Sequence, residues 1–189
     1  MTTLIGIQGD GWAVMGADSR VSDSETGRWS EMSLTKIVEN NGILIGGAGS
    51  VRGLNLLHYG WKAPKPRANA DLDVFMTKTF IPAMREHFVK SGYDIKEESE
   101  AAKSESHILV AVQGVLYPIY DDYSWLRDEN NIYDFGSGSD IALGALEAFD
   151  VQKCKTPASA EKVVKKAIEI AMRHDMMTGG TVHTFVQEY

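Results

Sequence analysis

The sequence predicts an α+β fold in which two stacked antiparallel sheets are covered by helices on both sides, a four-layer αββα order. Three observations predict it. Strand-like runs open the chain in pairs joined by Gly- and Asn-rich turns. Helical periodicity is confined to two blocks, one near the middle and one toward the end. Further strand-like runs lie between those blocks, and one closes the chain. The order strands, helices, strands, helices, strand gives each sheet one face for its partner sheet and one for a helical layer.

Residues 3–8 and 12–18 read as two short strands, with Gly9-Asp10-Gly11 as a hairpin turn between them. Residues 21–33 are polar and contain Gly27 and several serines, which suits a loop or loose ribbon. A second hairpin is expected from 35–39 and 43–45 around Asn40-Asn41-Gly42, with the glycine-rich run from Gly46 to Ser50 stopping its second strand. An apolar, helix-like segment follows through Leu54, Leu56, Leu57 and Tyr59. Residues 61–70, with Pro64 and Pro66, form a connector. Leu72, Phe75, Met76, Ile81, Met84 and Phe88 recur at near-helical spacing over 71–90, and Pro82 should kink or split that helix.

The stretch 94–106 is charged and is expected to be exposed. Strands are expected at 107–112, 115–120 and 131–135, with Gln113-Gly114 as a turn. Ser139 or Asp140 can cap a helix through Ala142, Leu143, Ala145, Leu146 and Phe149. Thr156-Pro157 is a good cap and first-turn pair for a last helix, with Val164, Ile168 and Ala171 inward and Lys162, Lys165 and Lys166 outward. Gly179-Gly180 would end it, and 181–187 would be the closing strand.

With 189 residues the chain suits one domain over 1–189, long enough to bury roughly 70% of its unfolded surface. Hydrophobic content of 43% and charged content of 24% are those of ordinary globular proteins. The net charge of −7 offers no basic stripe for nucleic acid. No apolar run is long enough to span a bilayer and no signal segment is recognised, so a cytoplasmic protein without membrane association is expected. Cys154 is alone and the five histidines are scattered, so neither a disulfide nor a metal site is expected, and no cofactor.

Chemistry begins at the N-terminus. A small residue after the initiator Met permits its removal, which would leave Thr2 with a free α-amine beside its own hydroxyl. That pairing activates a weak nucleophile, because an α-amine with a pKa near roughly 8 can take the hydroxyl proton at neutral pH. Two competing motifs are weak. Ser33-Leu34-Thr35-Lys36 fits a Ser-x-x-Lys pattern but lies in a strand-like run with no Lys-Thr-Gly after it. Gly136-x-Gly138 lacks the third glycine and the later acidic residue of a dinucleotide site.

Several spaced motifs together resemble the β-type subunits of the proteasome and the bacterial HslV protease, within the N-terminal nucleophile (Ntn) hydrolases. They are Thr2-Thr3, Gly16-Ala17-Asp18-Ser19-Arg20, Thr35-Lys36-Ile37, Gly47, Gly136-Ser137-Gly138-Ser139, and the run from Arg173 through Asp175 and Thr178 to Gly179-Gly180. The resemblance covers nearly the whole chain. It departs from the family pattern in a spacing from Asp18 to Lys36 that is two residues longer, and in Thr178 where serine is usual.

The resemblance implies a threonine-type endopeptidase of the Ntn-hydrolase fold. Thr2 would be the nucleophile, Lys36 would lower its hydroxyl pKa, and Asp18 would orient Lys36. The Gly47 amide would stabilise the oxyanion, and Ser137, Asp175 and Thr178 would position the α-amine and a water. Val21, Ile45 and Gly49 would surround the pocket for the residue before the cut. It further implies homo-oligomeric rings enclosing the sites, with helices 71–90 and 139–149 as contact surfaces. Substrates would be peptides or unfolded proteins, supplied for folded targets by an ATP-dependent unfoldase. Two alternatives stand beside this reading: a catalytically silent ring subunit of the same fold, and a stand-alone Ntn amidase.

Overall fold

The structure is a computed structural model that describes residues 2–23, 25–33, 35–94 and 103–189. It is a mixed α/β fold with two four-stranded antiparallel sheets. The first has the order β10-β2-β1-β9, built from β1 (Leu4–Gly9), β2 (Trp12–Ala17), β9 (Ile132–Phe135) and β10 (His183–Glu188). The second has the order β5-β6-β7-β8, from β5 (Ile37–Asn40), β6 (Ile43–Gly49), β7 (Ser106–Val112) and β8 (Val115–Ile119). A two-stranded ribbon, β3 (Arg20–Ser22) with β4 (Trp29–Glu31), stands apart in the region read as a loose ribbon. Asn41-Gly42 and Gln113-Gly114 each have both φ angles positive, the backbone of the tight hairpin whose twist matches its strands. Pro118 is tolerated because β8 is an edge strand.

Apolar residues sort by strand alternation. Leu4, Met15, Ile37, Leu44, Leu109 and Leu116 form a core with contributions from both sheets. There Gly6 and Gly46 have no room for a side chain: a Cβ on Gly6 would lie 2.6 Å from Leu109, and one on Gly46 would lie 2.9 Å from Leu4. The glycine run that reads as a strand stop is therefore the packing face of β6, and the strand continues to Gly49.

Ile5, Ile7 and Val14 point the other way, into a cluster with α4 (Ser139–Ala148) and α5 (Pro157–His174). Ile43, Ile45, Ile108 and Val110 pack with α1 (Val51–Tyr59) and the helical stretch 72–90.

That stretch comprises α2 (Leu72–Phe75), a π turn (Met76–Phe80) and α3 (Ile81–Lys90), with Pro82 in the first turn of α3. The wider turn just upstream is where the helix accommodates the missing N–H of proline, so the expected break takes the form of a π bulge. Thr156 caps α5 in a reciprocal box with Ser159, and Ala160, Val164, Ala167, Ile168 and Ala171 form its buried stripe.

Three expectations are corrected. Helix α5 ends at His174, before Gly179-Gly180, because Asp175 turns extended and enters the site. Gly138 occupies the cap of α4 without a side-chain bond, and Ser139 is buried within the helix. In 94–106, residues 95–102 lie outside the described residues, while the Asp94 side chain, Ser104 and Ser106 are buried: Asp94 accepts from Tyr123 and Arg85, and Ser106 shares a hydrogen bond with Tyr93.

Candidate active site

Sheet register brings the motifs together. Leu4 lies opposite Ala17 and Phe135, and Ala17 opposite His183. The residues just beyond this row are Thr2 and Thr3, Asp18 and Ser19, and Gly136 and Ser137. In the second sheet Ile37 pairs with Gly46, so Lys36 lies opposite Gly47 at the same end. Asp175 and Thr178 arrive on the loop that follows α5.

Asp18 is fully buried and its carboxylate accepts four hydrogen bonds. Oδ1 takes the Lys36 ammonium at 2.7 Å and the Thr3 N–H at 2.9 Å. Oδ2 takes the N–H groups of Arg20 at 3.1 Å and Gly179 at 3.0 Å. Those bonds satisfy a charge that burial alone would make very costly. Lys36 is 2% exposed. Burial drives its ammonium below the ordinary lysine value, the charge and hydrogen bond of Asp18 oppose that, and Arg20 adds to the lowering.

A second group of hydrogen bonds meets the N-terminal segment at Thr3. Asp175 Oδ2 accepts from Ser137 Oγ at 2.7 Å and from Thr178 Oγ1 at 2.6 Å, and Oδ1 accepts from the Met177 N–H at 3.0 Å. Partial burial would raise the Asp175 carboxyl, but these bonds outweigh it and hold it below the usual carboxylate value. Thr178 is fully buried, and its oxygen lies 2.7 Å from Thr3 Oγ1. Gly136 has φ +105°, and a Cβ there would fall 1.9 Å from the Thr2 carbonyl oxygen, so only glycine lets this turn lie against Thr2.

Thr2 is 4% exposed and lines a cavity of about 20 Å³ with Val21, Met32, Lys36, Gly47, Gly49, Ser50, Val51 and Leu54. Two of the expected pocket residues, Val21 and Gly49, are thus present. Ile45 is not: it is fully buried in the core beneath α1 and α3. Gly47 stands two residues further along the same face, where a Cβ would meet Leu54 at 3.1 Å.

The Gly47 amide also departs from expectation, since its N–H is donated to the Lys36 carbonyl at 3.3 Å. Successive N–H groups of a strand point to opposite edges. The Ser50 N–H points to Glu105, on the β7 side. Gly49, between them in phase with Gly47, therefore directs its N–H to the edge that carries Lys36.

Sequence reasoning gave no site role to Thr3, Arg20 and Gly136, although its motifs contain them, nor to Met32 and Leu54. Arg20 stacks its guanidinium 4.4 Å from the Trp29 ring and donates to the carbonyls of Met176 and Thr178. It thereby fastens the ribbon to the Asp175–Gly179 loop. Among the described residues no group of three or more His, Cys, Asp or Glu is placed to hold a metal ion, and no helix is long and apolar enough to cross a membrane.

No protein-family model matches the sequence, and no curated protein matches it. Solved structures do match in fold. BPH of Thiobacillus denitrificans is 20% identical with a TM-score of 0.74, covering 99% of this chain and 98% of that one. The same protein in complex with epoxomicin is 21% identical with a TM-score of 0.73, over 99% and 98%. Eukaryotic HslV from Trypanosoma brucei is 19% identical with a TM-score of 0.66, over 100% of both chains. The chain thus has the fold of BPH and HslV along its whole length.

Proposed function

We propose that this chain is the threonine-type endopeptidase subunit of a self-compartmentalising, proteasome-like or HslV-like protease, with Thr2 as nucleophile once Met1 is removed. The observation that carries the reading is the buried Asp18–Lys36 ion pair at the wall of the Thr2 cavity, faced by the Ser137–Asp175–Thr178 arm. A catalytically silent subunit has no use for so costly a charge pair beside an N-terminal threonine. The three apolar clusters support the four-layer αββα arrangement of the Ntn hydrolases, in one domain over 1–189.

Thr2 Oγ attacks the peptide carbonyl, forming the C–O bond as its proton passes to the α-amine of the same residue. The positive charge of Lys36 lowers the pKa of that hydroxyl, and Asp18 holds Lys36 in place. The Gly49 N–H, rather than that of Gly47, donates to the oxyanion. The intermediate collapses when the α-ammonium returns the proton to the leaving amine, and water then hydrolyses the ester. Ser137, whose own proton is spent on Asp175, offers only lone pairs to the amine.

A hydroxyl with its own amine as base has no inherent restraint against cellular proteins, which argues for homo-oligomeric rings with the sites facing inward, in the cytoplasm. Short peptides enter unaided, while folded proteins require an ATP-dependent unfoldase partner. The Thr2→Ala variant tests the reading. It should abolish peptide hydrolysis while light scattering still reports wild-type rings; full activity in that variant, or in a monomer, contradicts it.

A further inference from the structure

We propose that the Thr3 hydroxyl is a positioning group of this site, heading a one-way hydrogen-bond chain through Thr178 to Asp175 that fixes how Ser137 faces the nucleophile. The inference deepens the peptidase reading and rests on it.

Proton counting sets the direction of the chain. Thr178 has one hydroxyl proton, and it is donated to Asp175 Oδ2 at 2.6 Å. The 2.7 Å contact between the Thr3 and Thr178 hydroxyls must then be a donation from Thr3. The chain runs from Thr3 to Thr178 to the carboxylate, which also receives Ser137. A hydroxyl that receives a hydrogen bond becomes a better donor, so Thr3 strengthens the bond from Thr178 to Asp175.

The space for this chain is shaped by the absence of one side chain. A Cβ on Gly138 would lie 2.2 Å from Thr3 Oγ1, 2.8 Å from Thr178 Oγ1 and 3.1 Å from Asp175 Oδ2. All three oxygens converge on the bare face of that glycine. Thr3 itself is fully buried, and its N–H is bound to Asp18 at 2.9 Å. It thus joins the Lys36–Asp18 half of the site to the Asp175 half, one residue from Thr2. Lys36 acts on Asp175 across the site, Arg20 holds the Asp175–Gly179 loop from outside, and Asp18 lies behind the Thr3 amide.

The test compares Thr3→Val, which keeps the shape and removes the hydroxyl, with Thr3→Ser, which keeps the hydroxyl. In Thr3→Val we expect kcat on a short peptide to fall about three- to tenfold, as for loss of one hydrogen bond, with KM within about twofold. The Asp175 carboxyl should take up its proton at a higher pH, because a carboxylate that loses support binds its proton more readily, while the acid limb of the rate profile, set by the α-amine that serves as base, stays where it is. Thr3→Ser should restore both. Combining Thr3→Val with Thr178→Val should be no worse than Thr178→Val alone.

An unchanged Asp175 titration and kcat in Thr3→Val overturns the proposal, as does full additivity in the double variant. Carboxyl NMR titration of Asp175, assigned with Asp175→Asn, reads the same shift without relying on turnover. Should Thr3→Val not fold, Thr3→Ala is judged by the same limits. Failure of the peptidase reading would look different: wild type without hydrolysis, or Thr2→Ala with it.

Discussion

Lys36 Nζ lies 2.7 Å from Asp18 Oδ1 with both side chains closed off from solvent, at the meeting point of the two sheets. Three backbone N–H groups complete the coordination of that carboxylate. The pair therefore clamps the ends of β2 and β5 to the loop after α5, and in the proposed mechanism it supplies the charge that activates Thr2.

Removing Lys36 leaves the Asp18 charge buried with amide donors alone. Lys36→Ala should lower the unfolding free energy by about 3 kcal/mol and abolish measurable peptide hydrolysis. Denaturant melts and initial rates check both. Asp18→Asn should reduce activity with a smaller stability loss, since its amide can still accept some of the same donors.

Thr178 separates hydroxyl from shape. Thr178→Ser should retain most activity. Thr178→Val keeps the volume but strips Asp175 of one donor and Thr3 of its acceptor, so kcat should fall at least about tenfold. Equal rates in the two variants would reduce Thr178 to packing.

Gly136 lies directly against the backbone of Thr2, the proposed nucleophile. Gly136→Ala places a methyl where the Thr2 carbonyl oxygen stands, in a backbone conformation that side chains resist. A displacement of the reacting group by about 1 Å can cost about 100-fold in rate. We expect at least that fall in kcat, with assembly retained by light scattering.

Much of this arrangement is legible in the sequence because the signals are local. Asn41-Gly42 and Gln113-Gly114 set their own turns, and Thr156-Pro157 with Ser159 sets the start of α5. The ends of elements were less legible, because tertiary contacts decide them. Gly46 reads as a breaker yet serves the approach of two sheets. Asp175 leaves the helix because Ser137 and Thr178 bind its carboxylate.

The proposed oxyanion donor shows the same limit at finer grain. Whether the amide of Gly47 or of Gly49 is available depends on where β5 begins, since Lys36 takes the first through its carbonyl. Spacing along the chain carries no information on that pairing. Ile45 was misplaced for a related reason: its side chain faces the core that α1 and α3 cover, a neighbour far away in sequence.

One part of the pH dependence, that of stability, follows from Asp175. Its carboxyl is held below the ordinary value by three donors, so the ionised form is favoured in the folded state. Its contribution to stability is present above the unfolded carboxylate value and is lost as pH falls through the lower folded one. Activity itself should fall as the α-amine that serves as base takes up its proton, and Asp175→Asn, which leaves that amine in place, should lower kcat and keep the acid limb. A pH–rate profile of both proteins checks this.

Intact-mass and peptide-mapping mass spectrometry of active protein treated with a threonine-directed covalent inhibitor tests the identity of the nucleophile most directly. With Thr2 as nucleophile the chain begins at Thr2, one inhibitor is added per subunit on that threonine, and hydrolysis is lost in proportion to labelling. Active protein that retains Met1, or that carries the inhibitor on another residue, would contradict it.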